Sequence, residues 1–139
     1  MISAKARVAA AFVHAAPVLV GVPFFLWVFS YAGMLVFFAP GVFMAVAGLI
    51  VALVARRCAP PGFVRTEAAG ALHFHSITAL VGIVVLVLVF VAVFAGGIMA
   101  AASIGATLLG VVLPLVEIGR ALAYGIGALR ATATVLPER

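Results

Sequence analysis

Three histidines and one glutamate are the residues of this chain whose types could do chemistry inside an apolar protein. His14 lies in the first apolar stretch, His73 and His75 lie near the start of the third, and Glu117 lies near the end of the fourth. Imidazole titrates near neutral pH and ligates metals, and a neighbouring carboxylate can share its proton or its metal. We therefore treat His14, His73, His75 and Glu117 as a candidate polar cluster.

Hydrogen bonding between helices is the first of three roles open to this cluster, and the residue types favour it. Such bonds are the commonest fate of polar side chains in a membrane, and at about 1 kcal/mol each they suffice to orient a helix. Glu117 and Arg120 stand at positions i and i+3. They could therefore also form an ordinary ion pair at the membrane interface.

Metal or haem ligation is the second role. On a helix, His73 and His75 are separated by about 200°, so they cannot both point at one centre, and the i, i+4 spacing of helical metal sites is missing. His14 with one of that pair could still bracket a haem or join Glu117 on a cation. Because no ligand motif of defined spacing supports such a site, we predict no metal ligands and no cofactor.

A proton or substrate path is the third role, since histidine and glutamate inside a membrane suit proton transfer. A path must cross both leaflets of the bilayer. In the half of the membrane away from the cluster, the spans contain only uncharged polar residues, namely Ser30, Tyr31, Ser103 and Thr107. This asymmetry argues against a conducting pore.

Enzyme active sites of the familiar kinds are missing from the sequence. The chain has no Asp and only three acidic residues, which excludes a Ser-His-Asp triad and makes a catalytic carboxylate pair hard to assemble. Gly125 and Gly127 lack the preceding strand and the third glycine of a dinucleotide-binding fingerprint. We predict that the protein is not an enzyme, and no soluble small-molecule substrate can be identified.

The composition identifies the solvent that surrounds the chain. Of the 139 residues, 68% are hydrophobic and 8% are charged, whereas about a quarter of the residues in a soluble domain are charged. A chain of this size cannot bury so much apolar surface by folding alone, so the lipid bilayer must be its main partner. The net charge of +5 comes from residues that flank apolar runs, which argues against nucleic acid as a partner.

Four apolar runs are long enough for helical spans, each of which needs about 20 residues. They cover residues 8–29, 34–55, 70–95 and 98–116. We predict an all-α integral membrane bundle of four transmembrane helices that forms a single domain over residues 1–139. Pro40 and Gly41 predict a broken or re-entrant segment, and residues 118–130 predict a continuing or an interfacial helix. The runs lack the alternating pattern of a β-barrel.

The basic residues predict the orientation of the bundle. Four spans place all of them on one side: Lys5, Arg7, Arg56, Arg57, Arg65, Arg120, Arg130 and Arg139. By the positive-inside rule this side is the cytoplasm, so both termini are predicted to be cytoplasmic. The abundance of Arg, Ala, Gly and Val is typical of a GC-rich bacterial source. We therefore predict a multi-pass protein of the bacterial cytoplasmic (inner) membrane.

Residues 58–75 contain the most specific motif of the chain. A Phe-Val-Arg segment at 63–65 leads to Glu67, and Ala-Leu-His-Phe-His at 71–75 opens the third span. This resembles the loop-to-helix signature of a prokaryotic family of small four-helix membrane proteins of unknown function. That family is similar to the Tic import component of the chloroplast inner envelope. The chain departs from the family pattern at His73 and His75, where Asn and Gln are usual.

The resemblance implies a four-helix membrane fold and supplies no catalytic residues. His14, within Ala-Phe-Val-His-Ala, also resembles the first-span pattern of the family. The residues that belong to the loop motif or mark its topology are Arg56, Arg57, Phe63, Arg65 and Glu67.

Together these observations predict an accessory, assembly or scaffolding subunit that acts by helix–helix contact within a larger membrane complex. Too little of the chain lies outside the four spans to form a catalytic or receptor domain, so other integral membrane proteins are the expected partners. One alternative is a component of a protein-translocation or channel-like assembly. Another is a small haem- or metal-binding membrane protein.

Overall fold

A computed structural model describes residues 2–32 and 40–131 of the protein, and the described chain is built from helices. The α-helices are α1 (Ala4–Ala16), α2 (Val22–Ala32), α3 (Pro40–Cys58), α4 (Phe63–Phe94), α5 (Ile98–Thr107) and α6 (Leu113–Arg130). Two π-helical turns, Pro17–Gly21 and Leu108–Val112, join α1 to α2 and α5 to α6. Each of these two pairs therefore forms one continuous rod.

Four helices in the described residues are long and apolar enough to cross a membrane, as the sequence predicts. They cover Ala4–Val28, Pro40–Cys58, Phe63–Phe94 and Ile98–Arg130. The third begins earlier than residue 70, because nothing after Gly62 interrupts the helix. The fourth includes the stretch 118–130, which continues the helix without a break. Residues 33–39, where the predicted second span begins, lie outside the described residues, and α3 starts at Pro40.

Prolines and glycines explain where the helices widen and stop. Proline has no N–H to donate and crowds the carbonyl of residue i−4, so a wider π turn can absorb it without breaking the rod. One π turn begins at Pro17, and the other directly precedes Leu113 and Pro114. The connections between α3 and α4 and between α4 and α5 contain Gly62 and Gly96, whose φ angles of 137° and 84° favour glycine.

Small residues allow the helices to approach closely, as expected where lipid gives no hydrophobic drive for association. Near the ends of α1, α3 and α4 the core consists of Val13, Ala52, Ala68 and Ala71. Deeper in the bundle, a Cβ added to Gly41 would lie 2.6 Å from the Cβ of Leu113. The small-residue pairs at 48 and 52, 101 and 105, and 121 and 125 are all buried, and the pair at 123 and 127 is exposed.

Candidate functional site

The candidate site is a group of polar side chains buried where α1, α4 and α6 meet, and α4 supplies its central face. At 100° per residue, Glu67, His75 and Thr78 lie within an arc of about 80° around the axis of α4, and Ala71 and Gly82 lie in the same arc. The apolar members of this face, Ala71 and Gly82, are small and pack inward, which turns the three polar members toward the bundle interior. We call His14, Glu67, His75, Thr78, Glu117 and Arg120 the polar network.

The inner tier of the network is centred on Glu117 of α6. Its side chain is 0% exposed, and a buried carboxylate needs polar partners to offset its lost hydration. Thr78 Oγ1 donates a hydrogen bond of 2.7 Å to Glu117 Oε1. His75 Nδ1 lies 3.0 Å from Glu117 Oε2, without the alignment of a hydrogen bond. The inner tier thus ties α6 to α4.

The second tier lies nearer the end of the bundle that contains the starts of α1 and α4, which we call the basic end because Lys5 and Arg65 lie there. This tier joins α1 to α4. His14 Nε2 donates to Glu67 Oε2 across 2.9 Å, because an ionised carboxylate can only accept. The His14 side chain is 1% exposed and that of Glu67 is 29% exposed, so the pair reaches from the interior to the surface. The ring of Tyr124 on α6 lies 5.5 Å from the His14 ring, centroid to centroid.

Arg120 lies between the two tiers and packs on aromatic rings. Its Cζ lies 4.1 Å from the ring centroid of Phe74 and 4.4 Å from that of Tyr124, which is the geometry of a cation–π contact. This differs from the predicted Glu117–Arg120 ion pair at i and i+3, because Glu117 turns to Thr78 and His75.

The inner tier is closely packed on its α3 side. Gly48 faces the His75 ring, and a Cβ at this position would lie 2.8 Å from both Cε1 and Nδ1 of the ring and 2.8 Å from Pro17 Cγ. The ring therefore fills the space that any larger residue at position 48 would need. Such packing restricts the orientation of the imidazole on its α3 side.

Several buried polar atoms of the network have no hydrogen-bond partner in the described chain. They are His14 Nδ1, both ring nitrogens of His75, Glu117 Oε2 and Arg120 Nε. The chemistry that this arrangement can support is the holding of a proton and the orientation of helices. Within residues 2–32 and 40–131, no three His, Cys, Asp or Glu side chains are grouped as metal ligands.

The structure brings together three residues of the candidate polar cluster, namely His14, His75 and Glu117. His73 is exposed on the opposite face of α4, in keeping with the angular separation of about 200° from His75. Glu67, which the sequence analysis assigned to the loop motif, is part of the network. The remaining loop-motif residues lie outside the network: Arg56, Arg57 and Arg65 are exposed, and Phe63 is half-buried.

Sequence reasoning missed Thr78 and Arg120 as members of the network. Thr78 stands three residues after His75 on the same helix face, a spacing that would have identified it. In the sequence, Arg120 looks like a charged residue that flanks a span. Its side chain turns inward because α6 packs against Phe74. No family model, curated protein or solved structure matches the chain.

Proposed function

We propose that the protein is an accessory, assembly or scaffolding subunit of a larger membrane complex and that it acts through the outer faces of its helices. The most apolar windows of the four candidate spans are only 22% to 33% buried within the molecule. The described connections, residues 59–62 and 95–97, are short. Helix surface is therefore what the described chain offers to a partner.

The outer face of α6 carries this proposal. Gly119, Ala123 and Gly127 are exposed and recur every four residues, so they form one narrow strip along the helix. A Cβ added at Gly119 or Gly127 would meet nothing within 4 Å, so packing inside this chain does not explain these glycines. Glycine within a helix costs up to about 1 kcal/mol relative to alanine. Close approach by the backbone of a partner helix explains why small residues stand there.

The polar network supports the same function, because its hydrogen bonds between helices hold the bundle in one arrangement. It joins α1 to α4 through His14 and Glu67, and α4 to α6 through Thr78 and Glu117. The close packing of Gly48 on His75 favours a fixed structural role over a path for a substrate. A rigid bundle presents the α6 strip to a partner without an ordering cost on binding.

We also propose that the basic end of the bundle faces the cytoplasm of a bacterial cell and that the protein resides in the cytoplasmic membrane. Lys5, Cys58 and Val64 line one cavity, which places the start of α1, the end of α3 and the start of α4 together. The basic residues of these segments therefore lie at a common end, as the positive-inside rule requires. The resemblance at residues 58–75 is consistent with this arrangement.

The experiment is co-purification of affinity-tagged protein in a mild detergent. The double variant Gly119→Leu with Gly127→Leu replaces both strip glycines. It is expected to lower the amount of a stoichiometric partner that co-purifies at least tenfold, while the yield and thermal stability of the protein stay unchanged. Gly70→Leu is the matched control, because Gly70 on α4 is also exposed with nothing within 4 Å of an added Cβ. Purification of the wild-type protein as a lone monomer would contradict the proposal.

The same experiment separates the accessory subunit from a translocation component, the alternative implied by the resemblance. A subunit of a fixed complex retains one partner, or a small set, in constant ratio. A translocation component retains many unrelated chains whose amounts follow protein export, and their capture would favour that alternative over the accessory role.

A further inference from the structure

An apolar groove runs between the first rod and α3 on the outer surface of the bundle. Its larger part has a volume of about 1030 Å³, and of the residues that line it only Lys5 is charged. A smaller cavity of about 200 Å³ also lies between the first rod and α3, and Ile50 and Val51 line both cavities. We call these two adjacent cavities the α1/α3 groove.

The groove extends along most of the described length of α3. Along α3 its lining residues extend from Phe43 to Cys58, which is about 22 Å at 1.5 Å per residue. One leaflet contributes about half of the 30 Å hydrocarbon core, so the groove is long enough to hold an acyl chain of one leaflet. A single acyl chain lying along the groove would therefore place its ester and headgroup near Lys5 and Cys58.

The charge at the end of the groove selects the headgroup. Lys5 lies in the first turn of α1, beside the lining residue Ala4 and at the end of the groove, and is exposed. Arg57, in the last turn of α3, lies about 20° from Ile50 around the helix axis and so borders the groove. No acidic residue lines either cavity. A long Lys or Arg side chain can lay its stem on lipid and direct its charge to a phosphate.

We propose that the α1/α3 groove is a binding site for an anionic phospholipid, with one acyl chain in the groove and the phosphate held by Lys5 and Arg57. The apolar lining recognises the chain, and the basic end selects an anionic over a zwitterionic headgroup. This site is separate from the polar network and from the α6 strip, and the proposal does not rest on the proposed function.

The test is native mass spectrometry of the purified protein titrated with phosphatidylglycerol and with phosphatidylcholine of the same acyl chains. The wild type is expected to bind phosphatidylglycerol more tightly than phosphatidylcholine, by about fivefold for each basic residue that contacts the phosphate. Lys5→Gln is expected to lose about fivefold of that preference. Arg130→Gln, which removes an exposed charge at the end of α6 from a residue that does not line the groove, is expected to keep all of it.

A second variant tests the groove itself. Ala9→Phe fills the larger cavity and is expected to weaken binding of both lipids, whereas Ala100→Phe, at an exposed position on α5, is the matched control and keeps binding intact. Equal binding of the two lipids by the wild type, or unchanged binding by Ala9→Phe, overturns the proposal. Dissociation of an oligomer by Ala9→Phe without any loss of lipid would show a protein occupant and overturn it as well.

Discussion

Glu117 shows how a single residue constrains this bundle. A carboxylate that is 0% exposed must keep polar contacts, and Thr78 and His75 on α4 provide them. His14 depends in the same way on Glu67. Loss of Glu67 would leave the buried His14 ring without its hydrogen-bond partner, and a buried polar group stranded in this way costs more than the pair itself contributes.

Substitution of Glu117 tests this dependence. Glu117→Ala is expected to lower the free energy of unfolding in detergent by about 1–3 kcal/mol, since it removes the charged acceptor of the Thr78 hydroxyl and leaves that hydroxyl only the backbone carbonyls of Phe74 and His75. Glu117→Gln keeps an acceptor for Thr78 and is expected to lose less. Denaturant titration followed by circular dichroism measures both. His73→Ala, at an exposed position, serves as control for His75→Ala, and equal losses from these two histidine variants would contradict the assignment.

Gly48 provides a second test at the same scale. Gly48→Ala places a methyl group 2.8 Å from the His75 ring and from Pro17, and overpacking of this kind typically costs about 1–3 kcal/mol. The melting temperature in detergent should fall accordingly. Gly70→Ala adds the same methyl group in open space on α4 and should leave stability unchanged or slightly higher. A Gly48→Ala protein as stable as the wild type would show that the ring is not closely packed.

At the scale of elements, α4 and α6 are joined by aromatic packing as well as by polar contacts. Arg120 of α6 lies over Phe74 of α4, and its second ring contact, Tyr124, belongs to its own helix. The π turns matter here too, because each one rotates the helix that follows it relative to a regular α-helix. The turn at Leu108–Val112 precedes α6 and so determines which face carries Glu117 and Arg120 inward.

A double-mutant cycle on Arg120 and Phe74 measures how far this contact couples the two helices. Arg120→Lys and Phe74→Leu are each expected to lower stability, because lysine lacks the planar guanidinium and leucine lacks the ring. Their coupling energy is expected to be about 0.5–2 kcal/mol. Strictly additive effects would show that the ring and the guanidinium contribute independently.

At the scale of the whole molecule, the sequence predicts the spans well and the interior only in part. Uninterrupted apolar runs identify four helices, and Gly62 and Gly96 mark where two of the connections lie. The face that each helix turns inward depends on packing between helices, which a single sequence does not contain. This is why His14 and Glu117 were recognisable as polar residues within spans, whereas the inward turn of Arg120 was not.

Cys58 offers a test of the orientation of the whole bundle. It is the single cysteine of the chain and is exposed at the end of α3. We expect a membrane-impermeant maleimide to label it in inverted membrane vesicles and not in intact spheroplasts. Ala95→Cys in a Cys58→Ser background, at the opposite end of the bundle, should give the reverse pattern. Labelling of Cys58 from outside would mean that the basic end faces away from the cytoplasm.

Photo-crosslinking in living cells from the centre of the α6 strip tests directly whether the protein contacts a partner through this strip. With a photoreactive amino acid in place of Ala123, we expect one discrete adduct to a different membrane protein. The matched control position is Leu88, which is 60% exposed on α4 and should give no such adduct. No adduct at position 123, an adduct only to a second copy of this chain, or identical adducts from both positions would contradict an accessory subunit that docks through α6.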